Sequence, residues 1–374
     1  MKIAIHAIYY HPEVGGMESH IKDLAEEFTD RGHEVHIVCG RSLPGLPRHE
    51  TIDGVQVTRT RWFGRHPLGW LLYVLGSMRT FVRVAEGADV VHGQGFPCAL
   101  ATRKAKQRHG AANVVTVHSS HFLKLAPKKV LGPFFRYMFS AVDHMLAPSA
   151  ELADAIRSVS PGRQVECYVN SVNTKVFRKV KPSLNRPGRS IIVCPRRLVE
   201  KNGVRYAVQA LPLILKHTPA QLYMVGPGPL LSELQSLARE LKVAESVTFL
   251  GSVPHEDMPG ILSSADIVLI PSLMEATSIA ALESMACERA IAASNVGGIP
   301  EIVDQDVGLL FEAGNVEEIA DKVRQLLAMD REGMGRTARR RVVDRWSAKH
   351  LADRHMEIYH QLLAWRDSNR TVGD

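Results

Sequence analysis

Short apolar runs alternate with amphipathic stretches along almost the whole chain, and the alternation breaks once, between residues 171 and 190. Before the break the strand candidates are KIAIHAI (2–8), HEVHIVC (33–39), ADVVHG (88–93), NVVTVH (113–118) and HMLAPS (144–149). Met17, Ile21, Leu24 and Phe28 follow the first of them at helical spacing, so they share one helix face. A second series runs through SIIVCPRRL (190–198), QLYMVG (221–226), SVTFLG (246–251), DIVLIPS (266–272) and AIAAS (290–294). Strands joined through helical crossovers run parallel, with helices covering both faces of the sheet. The expectation is an α/β chain of two Rossmann-like domains facing across a cleft. The break, SVNTKVFRKVKPSLNRPGRS, is polar, basic and interrupted by Pro182 and Pro187, the composition of a linker. The first domain is therefore expected over 1–170, the linker over 171–189 and the second domain over 190–349. A last helix, 350–374, aligns Leu351, Ile358, Leu362 and Trp365 on one stripe.

At 374 residues the chain can bury two separate cores. No run approaches the ~20 apolar residues of a membrane-spanning helix, and MKIAIHAIYY reads as a first strand rather than a signal peptide. Five cysteines (39, 98, 167, 194 and 287) are scattered, odd in number and without a C-x-x-C. That pattern points to a reducing cytoplasm and away from a disulfide framework or a zinc site. The net charge of +7 is unevenly placed: residues 55–140 hold thirteen Lys and Arg against Glu86 and Asp89. Trp62, Phe63, Trp70, Phe134 and Phe135 interleave with these cations. Basic and aromatic residues together fit an anionic, partly apolar partner such as the inner face of a membrane. No nucleic-acid module accompanies them, so nucleic acid is not expected as a partner.

The most informative run is PSLMEATSIAALESMACERAIAASNVGGIPE, residues 271–301. It sets Glu275 and Glu283 eight positions apart, with Thr277, Ser278 and Ile279 opening a helix between them. Eight helical residues rise ~12 Å, about the span from a sugar ring to the ribose of a nucleotide-sugar. Unpaired N–H groups in the first turn suit a diphosphate lying between, and each carboxylate can accept hydrogen bonds from vicinal hydroxyls. A second cluster, Arg196-Arg197-Leu198-Val199-Glu200-Lys201-Asn202-Gly203, follows the first strand of the second series. A guanidinium and an ammonium across such a turn can neutralise a departing diphosphate. Gly15-Gly16 closes the turn after the first strand of the chain and lets backbone approach a phosphate. The absence of G-x-G-x-x-G there counts against a dinucleotide oxidoreductase.

These segments, in this order and at these distances, resemble the retaining glycosyltransferases of family 4, which have the GT-B fold. The likeness runs from about residue 1 to 365. It implies that Gly16 lies on the donor-diphosphate side and that His118, in Thr116-Val117-His118, contacts the transferred sugar. It implies that Gly226 and Gly228, in Val225-Gly226-Pro227-Gly228-Pro229, run near the nucleotide. Val253, after Gly251-Ser252, would meet the base through main-chain atoms. The clamp would be Lys201 with an arginine. Arg197 is favoured by the Leu beside it, Arg196 by its five-residue spacing, and the register stays open. The family's last helix crosses back to the N-terminal domain. Its mechanism is front-face and needs no metal or other cofactor. His118-x-x-His121 lacks a third ligand partner for a metal site, and Asp304-Gln305-Asp306, in a loop after Gly-Gly-Ile-Pro-Glu, is read as surface decoration.

Three departures qualify the likeness. Thr277 and Ser278 stand where Phe-Gly or Ser-Gly is common, which touches sugar recognition. Asn170-Ser171-Val172-Asn173 replaces Asn-Gly-Val-Asp, and Cys287-Glu288-Arg289 replaces Cys-Gly-Lys. The reading is a hexosyltransferase that uses a UDP- or GDP-sugar on a glycan or lipid-linked hydroxyl, cytoplasmic or peripheral on the membrane. Its rivals are a nucleotide-sugar epimerase of the same fold and a non-catalytic sugar-nucleotide-binding protein.

Overall fold

The structure, a computed structural model, describes residues 1–370 apart from Val14, Ser119, Val169 and Ala276. It divides into two compact units, Met1–Asn170 with the segment from Ala348, and Ser171–Ser347.

The first unit holds β1 (Lys2–Ala7), β2 (Glu34–Gly40), β3 (His49–Ile52), β4 (Val55–Thr60), β5 (Val90–Gln94), β6 (Ala112–Thr116), β7 (His144–Ala147) and β8 (Val165–Cys167). They form one sheet in the order β3-β4-β2-β1-β5-β6-β7-β8. Every pairing is parallel except the hairpin β3–β4. The hairpin turns on Asp53 and Gly54, both at positive φ, between the paired Ile52 and Val55. Asp-Gly is the favoured sequence for a two-residue turn of this twist, and a Cβ on Gly54 would press on the Thr29 methyl.

The second unit holds β9 (Ser190–Cys194), β10 (Ala220–Val225), β11 (Val247–Gly251), β12 (Ile267–Ile270), β13 (Ile291–Ser294) and β14 (Gly308–Phe311). All are parallel, in the order β11-β10-β9-β12-β13-β14. The order doubles back between β9 and β12. Such a reversal opens a crevice at the carboxyl ends of the two central strands, where ligands of this sheet type bind.

Two expectations are corrected. Residues 171–189 are not a free linker. Val172 donates to the Trp346 carbonyl at 2.9 Å, and the Val180 and Ser183 amides donate to the hydroxyls of Ser263 and Ser264, at 3.0 and 2.9 Å. Those bonds satisfy backbone groups that proline breaks leave without a ladder, which fixes the segment to the second unit. The last helix runs Ala348–Arg370, and residues 371–374 lie outside the described residues. It belongs to the first unit through Leu351, Ala352, Met356, Ile358 and Tyr359, which join the core around β1 and the helix Gly16–Asp30. Trp365 is 65% exposed, so the stripe ends before it. No helix among the described residues is long and apolar enough to cross a membrane.

Candidate functional site

The loops leaving the carboxyl ends of β9 to β13 interlock, and glycines set how closely they pack. Gly203, at φ 61°, lies against the Pro271 carbonyl, where any Cβ would collide. The Lys201 carbonyl accepts from the amides of Leu273 and Met274 at 2.9 and 3.3 Å, tying the loop after β9 to the loop after β12. On the far side Gly297, at φ 54°, packs on the Glu275 carbonyl with no room for a side chain. The backbone carrying Glu275 is thus held between two neighbours. Gly226 and Gly228 pack similarly against the carbonyls of Arg196 and Leu198, and Leu198 donates to the Pro227 carbonyl at 2.9 Å. The glycines expected beside a nucleotide therefore also join the loop after β10 to the arginine loop.

Arg196 and Glu275 form an ion pair across the point where strand order reverses. Their side chains are only 11% and 15% exposed. The Arg196 guanidinium also donates to Asn202 Oδ1 at 3.0 Å, and Asn202 Nδ2 donates to the Arg197 carbonyl at 2.8 Å. Asn202 thus braces the turn that carries both arginines. Arg197 and Lys201 have exposed side chains on the same turn, which leaves them accessible to a ligand in a way that Arg196 is not.

Glu275 and Glu283 do not sit at the two ends of one helix. The helix is Ile279–Ala286, with Ser278 as N-cap accepting from the Ala281 amide, so Glu275 precedes it in the loop. The cap explains the late start: the Ser278 hydroxyl satisfies an end N–H only from non-helical backbone, which holds residue 278 outside the helix. Thr277 and Ser278 are buried at that start, and the span from Glu275 is part loop rather than ~12 Å of helix. Glu283, 12% exposed, receives His255 Nε2 on Oε1 at 3.1 Å. His255 comes from the loop after β11, two residues beyond the half-buried Val253, and sequence reading missed it. Asp304 and Asp306 pair with Arg341 at 2.8 and 3.1 Å on the surface.

Gly16 and His118 lie in the first unit. Gly16 opens the helix Gly16–Asp30, whose first turn includes Glu18. His118 follows β6, half-buried, with Nε2 2.6 Å from Gln94 Oε1 and its ring 4.7 Å from that of His20. Burial, with His355 adding, lowers the His118 pKa to about 3, so the ring is neutral near pH 7. A buried polar cluster lies behind it. His92 meets Tyr359 at 2.6 Å and Thr116 at 2.8 Å, and His355 Nδ1 donates to the Leu351 carbonyl at 2.9 Å. Burial lowers the pKa of His20 and His92 well below the usual value and that of His355 to about 4.

The basic stretch is also rearranged. Phe135 is buried, and Trp62, Phe63 and Trp70 pack on the first-unit core. Large apolar rings leave water wherever a core is within reach, so of the five aromatics Phe134 is the one that stays exposed, at 40%, while Trp62, Phe63 and Trp70 are half-buried. The exposed apolar residues are instead Leu68, Leu72 and Leu75 on the helix Pro67–Val84, and Val130, Phe134 and Tyr137.

The family described as Glycosyltransferase Family 4 matches residues 14–176, and that described as Glycosyl transferases group 1 matches residues 176–341. N-acetyl-alpha-D-glucosaminyl L-malate synthase of Bacillus anthracis is 26% identical, over 97% of this chain and 98% of that protein. A GDP-mannose-dependent alpha-(1-6)-phosphatidylinositol monomannoside mannosyltransferase of Mycolicibacterium smegmatis is 27% identical, over 93% and 95%. Among solved structures, sucrose-phosphate synthase of Thermosynechococcus elongatus superposes with a TM-score of 0.83 at 22% identity, over 97% of this chain and 99% of that one.

Proposed function

This chain belongs to the family 4 glycosyltransferases of GT-B fold, and from that premise we propose that it moves a hexose from a UDP- or GDP-sugar to a hydroxyl of a glycan or lipid-linked acceptor, in the synthesis of cell-envelope glycolipid or polysaccharide. The observation that carries this reading is the Arg196–Glu275 pair at the strand-order reversal, with Glu283 on the helix beyond it. Glu283 binds the ribose diol and Glu275 the transferred sugar. Arg197 and Lys201, whose side chains are exposed on the turn after β9, meet the diphosphate, together with the N–H groups at Thr277, Ser278 and Ile279. Backbone at Gly226 and Gly228 lies along the nucleotide, and Val253 meets the base. The acceptor hydroxyl attacks the anomeric carbon on the face from which the diphosphate leaves. A phosphate oxygen takes its proton, the old C–O bond breaks and configuration is retained. Fixed cations and helix N–H groups stabilise the leaving charge without a metal. A thermal-shift screen against UDP- and GDP-sugars tests the reading: stabilisation by one donor class supports it, and indifference to every nucleotide-sugar contradicts it.

The lipid-linked form of this proposal puts the enzyme on an anionic membrane from the cytoplasmic side. Its support is a surface on the first unit. Leu68, Leu72, Leu75 and Arg79 are exposed at helical spacing, and Val130, Phe134 and Tyr137 are exposed among Lys124, Lys128, Lys129 and Arg136. The helices Pro67–Val84 and Gly132–Phe139 both pack on Ala99–His109. Each cation near such a surface contributes ~1 kcal/mol, an attraction that fades as the Debye length drops to ~3 Å at 1 M salt. Sedimentation with phosphatidylglycerol vesicles should exceed sedimentation with neutral ones and fall with salt. Equal binding to both would leave this an ordinary solvated face.

A further inference from the structure

We propose that His255 is a positioning residue for Glu283, holding one carboxylate oxygen so that the other is presented to the vicinal hydroxyls of a ribose. The proposal deepens the donor reading and rests on it. A carboxylate offers about four lone-pair sites on two oxygens, and a glutamate on a helix surface has several rotamers to lose on binding. Here the rotamer is chosen in advance. His255 Nε2 donates to Glu283 Oε1 at 3.1 Å, and Glu283 is almost buried at 12% exposure.

The histidine is itself held. Its ring stands edge-on against Phe177, with centroids 4.8 Å apart and planes at 67°. Phe177 is buried, and its carbonyl accepts from Arg339 at 2.5 Å. Arg339 also donates to the carbonyls of Thr174 and Ala286, the last residue of the helix that carries Glu283. The support thus returns to its own starting helix: Glu283, His255, Phe177, Arg339, Ala286. A surface ion pair alone would fix little. A donor locked by aromatic packing, against a carboxylate with little solvent, fixes a direction. The segment 171–189, which supplies Phe177, thereby acquires a part in donor binding.

Calorimetric titration with UDP and with GDP tests this on two single variants and a cycle. His255→Phe keeps an aromatic ring against Phe177 and removes the donor. It should weaken nucleotide binding about fivefold, the size of one lost hydrogen bond acting through a partner. His255→Gln keeps an N–H within reach and should stay within about twofold of wild type. In a Glu283→Ala background, His255→Phe should cost nothing further, because its action passes through the carboxylate. Unchanged affinity in His255→Phe, or the same loss with and without Glu283, would overturn the proposal. Failure of the wild-type protein to bind either nucleotide would overturn the donor reading itself, and the proposal with it.

Discussion

Lowering the pH from 7 to 5 is expected to unfold the first unit while the second stays folded. Burial lowers the pKa of His6 and His118 to about 3 and of His355 to about 4, and shifts His20 and His92 in the same direction. In the unfolded chain each returns to ~6.5. Below that value the unfolded state binds more protons than the folded one, so stability rises with pH there. The contribution is complete above pH ~6.5 and is lost as pH falls toward the folded values. At pH 5 each of the three valued histidines costs ~2 kcal/mol relative to pH 7. Their sum is comparable to the whole stability of a domain, ~5–15 kcal/mol. Pulse proteolysis in urea at the two pH values, with fragments mapped by mass, should show the midpoint falling for peptides of 1–170 and 348–370. The same midpoint at both pH values would show that these rings do not stay neutral in the folded state.

The second large effect is catalytic. Lys201→Ala is expected to lower kcat by ~10²–10³, the loss found when one preorganised charge-stabilising donor is removed. The Lys201 contact that orders the loop after β12 is made by its carbonyl and survives in alanine. Turnover should also persist in excess EDTA. Loss on chelation with rescue by Mn²⁺ would assign to a metal the role given to Arg197 and Lys201.

Much of the fold was legible because parallel strands are buried on both faces and read as unbroken apolar runs. IVLI of β12 and SIIVC of β9 are such runs. β3 was not, since HETI lies at a sheet edge and carries polar residues toward solvent; the Asp53-Gly54 turn beside it was the usable signal. β14 was hidden because GLLF is too short to stand out from a loop. In the site, the arginine register could not be read from neighbours in sequence. Only the fold shows that Arg196 reaches Glu275, 79 positions away. His255 carries no local motif and gains meaning from Glu283, 28 positions on. The buried histidines were likewise silent, because a partner such as Tyr359 lies 267 positions from His92.

The central claim, a nucleotide-sugar held between Glu283 and Glu275, is tested most directly by titrating bare UDP or GDP and the intact donor into two variants. A hydrogen bond to a charged group is worth ~1.5–3 kcal/mol. Glu283→Ala should therefore weaken both ligands by ~10- to 150-fold. Glu275→Ala should leave the bare nucleotide bound at least as well, since Arg196 loses its partner beside the phosphates, while turnover of the sugar collapses. Equal losses of bare nucleotide affinity in the two variants would contradict the account.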